Sequence, residues 1–286
     1  MTSDSFFAIG KAHTVCEDYA RDGKIPDTER VFAIVSDGCS SSPDTDFGSR
    51  FLTMATIQCL PEWGGVDPEG ILHHAIHLAR ESQSDLGLPR DCLDATLLVA
   101  HETEDGKVHV LVSGDGIVLA RRRDGAIESW EIDMQGAPGY YSYRLNYKRF
   151  RDYLLQGYGK RTVTHRIDGV VQDVAESLMA TPTELAYDPK DLVFVRTFDP
   201  ETYELVMVCS DGLQSFRNAE TQEPVPLAEV IPHVMDIRNP TGVFLRRAHH
   251  WFLTKTCPKL NWQHTDDFGT AAIILDLPEE TKDSEP

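Results

Sequence analysis

VFAIVSDGCSSSPDTDFGSRF, residues 31–51, is the stretch on which the fold turns. Its first six residues carry no charge and are rich in β-branched side chains. The run is too short for a buried helix and stops at the turn dipeptide Asp37-Gly38, so it reads as a strand covered on both faces. A strand this apolar ends on a carboxylate, and Asp44 and Asp46 follow closely. An acid at a helix start is favourable by about 1 kcal/mol. That explains Asp46, ahead of an amphipathic stretch over 47–61.

The same grammar recurs along the chain. ELVMVCSDG (204–212) again runs a strand into Asp-Gly, at Asp211. Asp115 sits in the tight turn of VLVSGDGIVLARR, Asp266 and Asp267 immediately precede FGTAAIIL, and Glu17-Asp18 lies in TVCEDYA ahead of a further apolar segment. Each alone is a turn or a solvated loop. Five such places in one chain point to a shared cluster. Two bare charges about 4 Å apart repel by about 4 kcal/mol at an effective dielectric near 20, so converging carboxylates need cations. All-oxygen ligands select hard ions, Mg²⁺ or Mn²⁺, over zinc.

Further strands are read at ATLLVAHE, KVHVLVS and LVFVRTF, and helices over 68–86, 147–156, 227–236 and 241–255. VHVLVSGDGIVLARR and LVFVRTFDPETYELVMV read as hairpins turning on Gly114-Asp115-Gly116 and Asp199-Pro200. Strands cluster instead of alternating with helices, which favours an α+β fold of antiparallel sheet flanked by helices. One domain over 1–278 is expected, with an irregular insertion at about 134–190 and an acidic tail, 279–286, expected to be disordered.

The formal net charge of −19 disfavours nucleic acid and anionic membrane surfaces as partners. The six cysteines are scattered without a CxxC pair, as in a reduced cytoplasmic protein, and Cys39 has no neighbouring His to activate it. The start, MTSDSFFAIGKAH, lacks the features of a signal peptide, and no apolar run approaches a membrane span. His73 and His77 in HHAIH stand at i,i+4 without a third ligand and, like His249-His250, read as a helix face. Arg144, Lys148, Arg149, Arg151, Lys160, Arg161 and Arg166 make the insertion basic; pairing with the protein's own acidic surface is the preferred reading over recruitment of acidic partners.

In this order the motifs resemble the metal-dependent (PPM-type, or type 2C) serine/threonine protein phosphatases, bacterial members in particular. GKAHTVCEDYA, VFAIVSDG, DATLLVAHE, VLVSGDGIVLARR, ELVMVCSDGLQSF and HTDDFGTAAIILDL each look like a family element. The resemblance implies two antiparallel sheets sandwiched between helices (α-β-β-α). It implies a phosphoric monoester hydrolase acting on phosphoserine and phosphothreonine proteins, opposite a cognate Ser/Thr kinase. Two or three Mn²⁺ or Mg²⁺ ions would share an activated water that attacks phosphorus in line. Carried over, Asp37 bridges two metals and Gly38 offers its carbonyl. Asp211 and either Asp266 or Asp267 ligate one ion, Glu17 holds the other through water, and Asp115 serves a third. Asp18 and Thr96 support them. His13 stands where many members carry a phosphate-gripping Arg, and is read as its substitute. Two further departures are the loop CSSSPDTDFGSR after Gly38, without the leaving-group His of some members, and Asp94 in place of a Gly before Thr96. These departures motivate the rival reading, a pseudo-phosphatase that binds phosphoproteins as a regulatory module.

Overall fold

Side chains along a strand alternate between its two faces, and in the central strands both faces are buried and enter different cores. In the computed structural model, which describes residues 1–63, 68–178 and 193–275, Phe32 and Ile34 join one apolar cluster while Val31, Ala33 and Val35 join a second. Val206 and Val208 enter that second cluster from another strand, whose Leu205, Met207 and Cys209 enter a third. Three cores stacked in this way require four layers: helices, sheet, sheet, helices. Continuous apolar strands are what such an interior demands, because neither sheet face meets water.

The strands are β1 (Thr2–Ala8), β2 (Tyr19–Lys24), β3 (Val31–Ser36), β4 (Leu97–Glu102), β5 (Val108–Ser113), β6 (Gly116–Arg122), β7 (Ile127–Met134), β8 (Lys160–Ile167), β9 (Val170–Leu178), β10 (Val193–Phe198), β11 (Tyr203–Cys209), β12 (Phe216–Asn218), β13 (Trp262–His264) and β14 (Phe268–Ile274). One sheet has the order β1-β14-β11-β6-β7-β8-β9, the other β10-β5-β4-β3-β2, and β12 pairs with β13. Neighbours in both large sheets are antiparallel. Helices α1 (Thr45–Trp63) and α2 (Pro68–Asp85) supply Leu52, Leu60, Ile71 and Ile76 to the first core. After α3 (Tyr147–Leu155), helices α4 (Leu227–Val234) and α5 (Phe244–Trp251) cover the other sheet with Val230, Val234, Phe244 and Leu245. Buried His249, on α5, donates from Nε2 to the Val234 carbonyl (3.0 Å) and accepts at Nδ1 from the Thr270 hydroxyl (2.9 Å), tying that layer to β14. Burial holds its pKa down to about 4, so it is a neutral core residue and not part of a solvated helix face. No helix among the described residues is long and apolar enough to cross a membrane, and all six cysteines are free.

Two expected hairpins are not hairpins. β5 pairs with β4 and β10 in one sheet, whereas β6 pairs with β11 and β7 in the other. β10 and β11 are divided in the same way. Each tight turn therefore carries the chain from sheet to sheet. A strand buried on both faces has no polar face to mark the sheet it belongs to, so local pattern cannot separate the two cases.

The segment at about 134–190, expected to be irregular, is ordered over much of its described length. β8 and β9 extend the first sheet, and Tyr141, Phe150 and Tyr153 add to the first core. The antiparallel hairpin β8–β9 turns at Asp168-Gly169, both with positive φ. Its strands are exposed or half-buried, which is why their apolar signal is weak. The rest of that segment and the 279–286 tail lie outside the described residues. The basic side chains mostly find partners within the protein: Arg149 with Asp91 and Asp94, Lys160 with Glu176, Arg166 with Glu131, and Arg144 with the Tyr141 ring.

Candidate functional site

Strand register carries the acidic residues to one end of the sandwich. Tyr19 pairs with Ser36 and the Gly38 N–H donates to the Glu17 carbonyl (3.3 Å), so Glu17-Asp18 lies alongside Asp37-Gly38. On the other side of β3, Gly38 bridges to Ala95, and the Asp37 N–H donates to Thr96 Oγ1 at 3.1 Å. Ala8 pairs with Phe268, which brings the following N-terminal loop to Asp266-Asp267. Cys209 pairs with both Thr270 and Ile117, placing Asp211 between Asp267 and Asp115. The approach is close: a Cβ on Gly212 would stand 1.6 Å from the Asp267 carbonyl oxygen, so only glycine lets this turn sit against that loop.

The carboxylates meet in one field. Asp37 is driven well above the ordinary carboxyl range by burial and then by Asp18, Asp211 and Asp115. Asp18 is pushed up to about 7, by burial first and also by Asp267 and Asp211, against hydrogen bonding from Ser210 and Asp37 that favours the charged form. Asp115 is pushed up to about 7 by burial and Asp211. Asp211 is raised by burial and Asp266. Without a cation the cradle therefore holds protons at neutral pH. Asp18 Oδ2 accepts from the Ser210 hydroxyl at 2.7 Å, while its buried Oδ1 has no partner. A buried carboxylate oxygen without a protein partner, among further carboxylates, fits a site for hard cations.

Asp266 and Asp267 divide the work. Both oxygens of buried Asp267 accept backbone N–H groups, from Gly10 (2.7 Å) and Glu17 (2.6 Å), so it ties the N-terminal loop to β14. Asp266 is more exposed and faces Asp211. His13 is caged by acids: Nε2 is 3.2 Å from Asp266, and Nδ1 is 3.2 Å from Asp267 and 3.8 Å from Glu17. Burial opposes its charge, but Asp267, Asp266 and Glu17 outweigh burial and raise its pKa. His13, Glu17 and Asp267 offer ligand atoms within 4.8 Å of one another, a compact group that could itself hold a metal. Glu17 is steadied by the Thr45 hydroxyl at 3.0 Å, in the first turn of α1.

Asp44 and Asp46 stand apart from the cluster. Asp44 takes positive φ and its carbonyl accepts from the Phe47 and Gly48 N–H groups, opening α1. Asp46 lies in the first turn and pairs with Arg50. Asp94 is not in the cluster either. It is buried, with Oδ1 accepting from Ser142 (2.7 Å) and Arg149 (2.9 Å), and Oδ2 from Ser42 (2.8 Å) and Arg149. Asp94 thus fastens the loop after Gly38 and the 140–150 segment to the site's rim.

Sequence reading missed Ser210, whose hydroxyl donates to Asp18 at 2.7 Å. The repeated Ser-Asp-Gly could have flagged that residue, since Ser36 likewise secures its strand end by donating to the Thr96 carbonyl at 2.6 Å.

The family described as Protein phosphatase 2C matches residues 10–248. Solved structures share the fold. The serine/threonine phosphatase Stp1 from Staphylococcus aureus is 12% identical, with 96% of this chain and 95% of that chain covered and a TM-score of 0.54. The PPM Ser-Thr phosphatase MsPP from Mycobacterium smegmatis, in complex with cacodylate, is 13% identical, with 96% and 99% covered and a TM-score of 0.52. A bacterial serine phosphatase is 11% identical, with 98% and 100% covered and a TM-score of 0.54. A comparison with curated proteins gives no match.

Proposed function

The chain belongs to the protein phosphatase 2C family, and from that premise we propose that it is a metal-dependent phosphoserine/phosphothreonine protein phosphatase. The observation that carries the reading is the convergence of Asp18, Asp37, Asp115 and Asp211 into one buried field with a bare carboxylate oxygen. Asp37, Asp211, Asp266, Glu17 and the Gly38 carbonyl would hold two Mn²⁺ or Mg²⁺ ions, and Asp115 with Asp211 a third. Asp266 would be the ligand of its pair nearer Asp211, while Asp267 spends one lone pair of each oxygen on a backbone N–H and keeps its place beside His13 and Glu17. When bound, such ions supply an activated water and neutralise charge on the phosphoryl group. Asp18 and Ser210 brace the cradle, Thr96 fixes the Asp37 backbone, and Asp267 orients Glu17. His13 stands at the rim among three carboxylates that raise its pKa, and its protonated form would lower repulsion toward an incoming phosphate. Whole-domain extent over 1–278 belongs to the same proposal, as does a Ser/Thr kinase that would make the substrate.

The test is hydrolysis of p-nitrophenyl phosphate and a phosphothreonine peptide with Mn²⁺, Mg²⁺ or chelator. Turnover with metal and none with chelator is expected. Stabilisation by metal without turnover on either substrate would instead assign a phosphoprotein-binding module.

A pH prediction follows from the same carboxyls. Asp18 and Asp115 stand near 7 folded, against about 3.9 unfolded. Groups raised on folding stabilise below the unfolded value and lose that contribution as pH climbs through the folded one. Chelated protein should therefore melt at progressively lower temperature from pH 5 to pH 8. The Mn²⁺-induced rise should grow over the same interval, reaching about 2.7 kcal/mol at a hundredfold excess over Kd. Loading near pH 6 should also release protons. A metal-induced shift in Tm that is flat with pH would contradict a protonated cradle.

A further inference from the structure

Residues 237–265 include no Asp or Glu, although the chain has 46 acids against 27 lysines and arginines. The same stretch carries Arg238, Arg246, Arg247, Lys255 and Lys259. Part of it lines a cleft of about 550 Å³, and none of the lining residues belongs to the acidic cradle. That is the size of a ligand site. Buried Phe244 and Phe252 line the cleft, and His233 stacks on the Phe252 ring at 5.8 Å and 12°. Trp251, the last residue of α5, is 61% exposed there. Directly after it the helix widens into a π-helical turn, Phe252–Thr256, a feature frequent at functional sites.

Arg247 is the side chain that points to a ligand. Its Nη2 donates to the carbonyls of Asn239 (3.0 Å) and Thr241 (2.8 Å), which holds the guanidinium in place at the cleft. Its Nε and Nη1 have no partner among the described residues, so three N–H donors remain for an anion. Arg238, also at the cleft, is spent on Asp236.

We propose that this cleft docks an acidic peptide segment of a partner protein, with one Asp or Glu on Arg247 and a neighbouring apolar side chain against Trp251 and Phe252. A guanidinium fork matches a carboxylate with two parallel bonds. Trp and Arg are the side chains that most often anchor protein interfaces. Lys255 and Lys259 are exposed outside the cleft, so the positive surface continues past the reach of a small ligand and follows an extended chain. The acidic remainder of the protein repels such a segment elsewhere, which confines it to this face. The docking site stands whether or not the cradle hydrolyses phosphoesters.

The probe is a short fluorescein-labelled peptide of Glu, Leu and Phe, titrated with full-length protein and followed by anisotropy. Saturable binding is expected. It should weaken about tenfold or more in Trp251→Ala and in Arg247→Glu, as for an interface anchor, and about as much when Gln replaces Glu in the peptide. Arg151→Glu, on α3 and outside the cleft, should bind like wild type. Trp251 is a surface side chain, so its variant keeps the fold; if Arg247→Glu lowers the Tm, Trp251→Ala and the Gln peptide decide. Absence of saturable binding, equal affinity for the Gln peptide, or wild-type affinity in Trp251→Ala overturns the proposal. So does an equal loss in Arg151→Glu, which would mean diffuse charge attraction. Binding that emerges only once residues 279–286 are removed would make the chain's own acidic tail the occupant, and the partner reading falls.

Discussion

Asp37→Asn is expected to abolish turnover of a phosphothreonine peptide while making the chelated protein more stable at pH 8. Asp37 is the acid on which the others bear: Asp18, Asp211 and Asp115 all raise it, after burial. The amide keeps its shape and removes the charge that would hold two cations. Electrostatic stabilisation by a catalytic metal is worth several kcal/mol. At about 1.4 kcal/mol per decade this is a loss on the order of 10³-fold in kcat. The stability change has the opposite sign, because a carboxylate that resists ionisation when folded destabilises the folded state at high pH, and its removal relieves the cluster. Melting curves and steady-state kinetics on the same preparation check both halves. Turnover within tenfold of wild type, or a chelated variant less stable than wild type at pH 8, would sink the assignment of Asp37 to a cation cradle.

Arg149→Met is expected to cost about 3 kcal/mol of stability, at the lower end for breaking a buried ion pair because the guanidinium is 31% exposed. For a domain of this size that is a fall in Tm of roughly 5–10 °C. Most of the cost lies on the other side: Asp94 would stay buried with only the Ser42 and Ser142 hydroxyls to offset its charge. The double variant Asp94→Asn/Arg149→Met should therefore recover much of the loss, since no buried charge is stranded. Thermal unfolding of the two singles and the double checks this. A loss below about 1 kcal/mol for Arg149→Met would show that Asp94 finds its stabilisation elsewhere.

The acidic motifs were legible because they are local. Asp37 and Asp211 each terminate a strand of unbroken apolar residues, and Asp-Gly after such a strand marks its end whatever the surroundings. The five helices were legible for the same reason: α1 spans Thr45–Trp63 against the expected 47–61, and α2 spans Pro68–Asp85 against 68–86. β8 and β9 were not, since their half-buried residues lack the apolar signature. The burial of His249 was not legible either, because a histidine sequesters itself only when partners such as Thr270 and the Val234 carbonyl arrive from other elements.

By itself the amino-acid order determined the apolar strands β3, β4, β5, β6, β10, β11 and β14, and that carboxylates crowd the ends of several of them, since periodicity and turn chemistry act over a few residues. Only the tertiary structure decided that β5 and β6 belong to different sheets, that Asp267 binds backbone while Asp266 faces Asp211, and that Arg149 reaches Asp94 at the rim from an inserted segment. Those outcomes depend on which distant surfaces bury one another. A strand apolar on both faces is compatible with more than one answer until the packing of all four layers selects one.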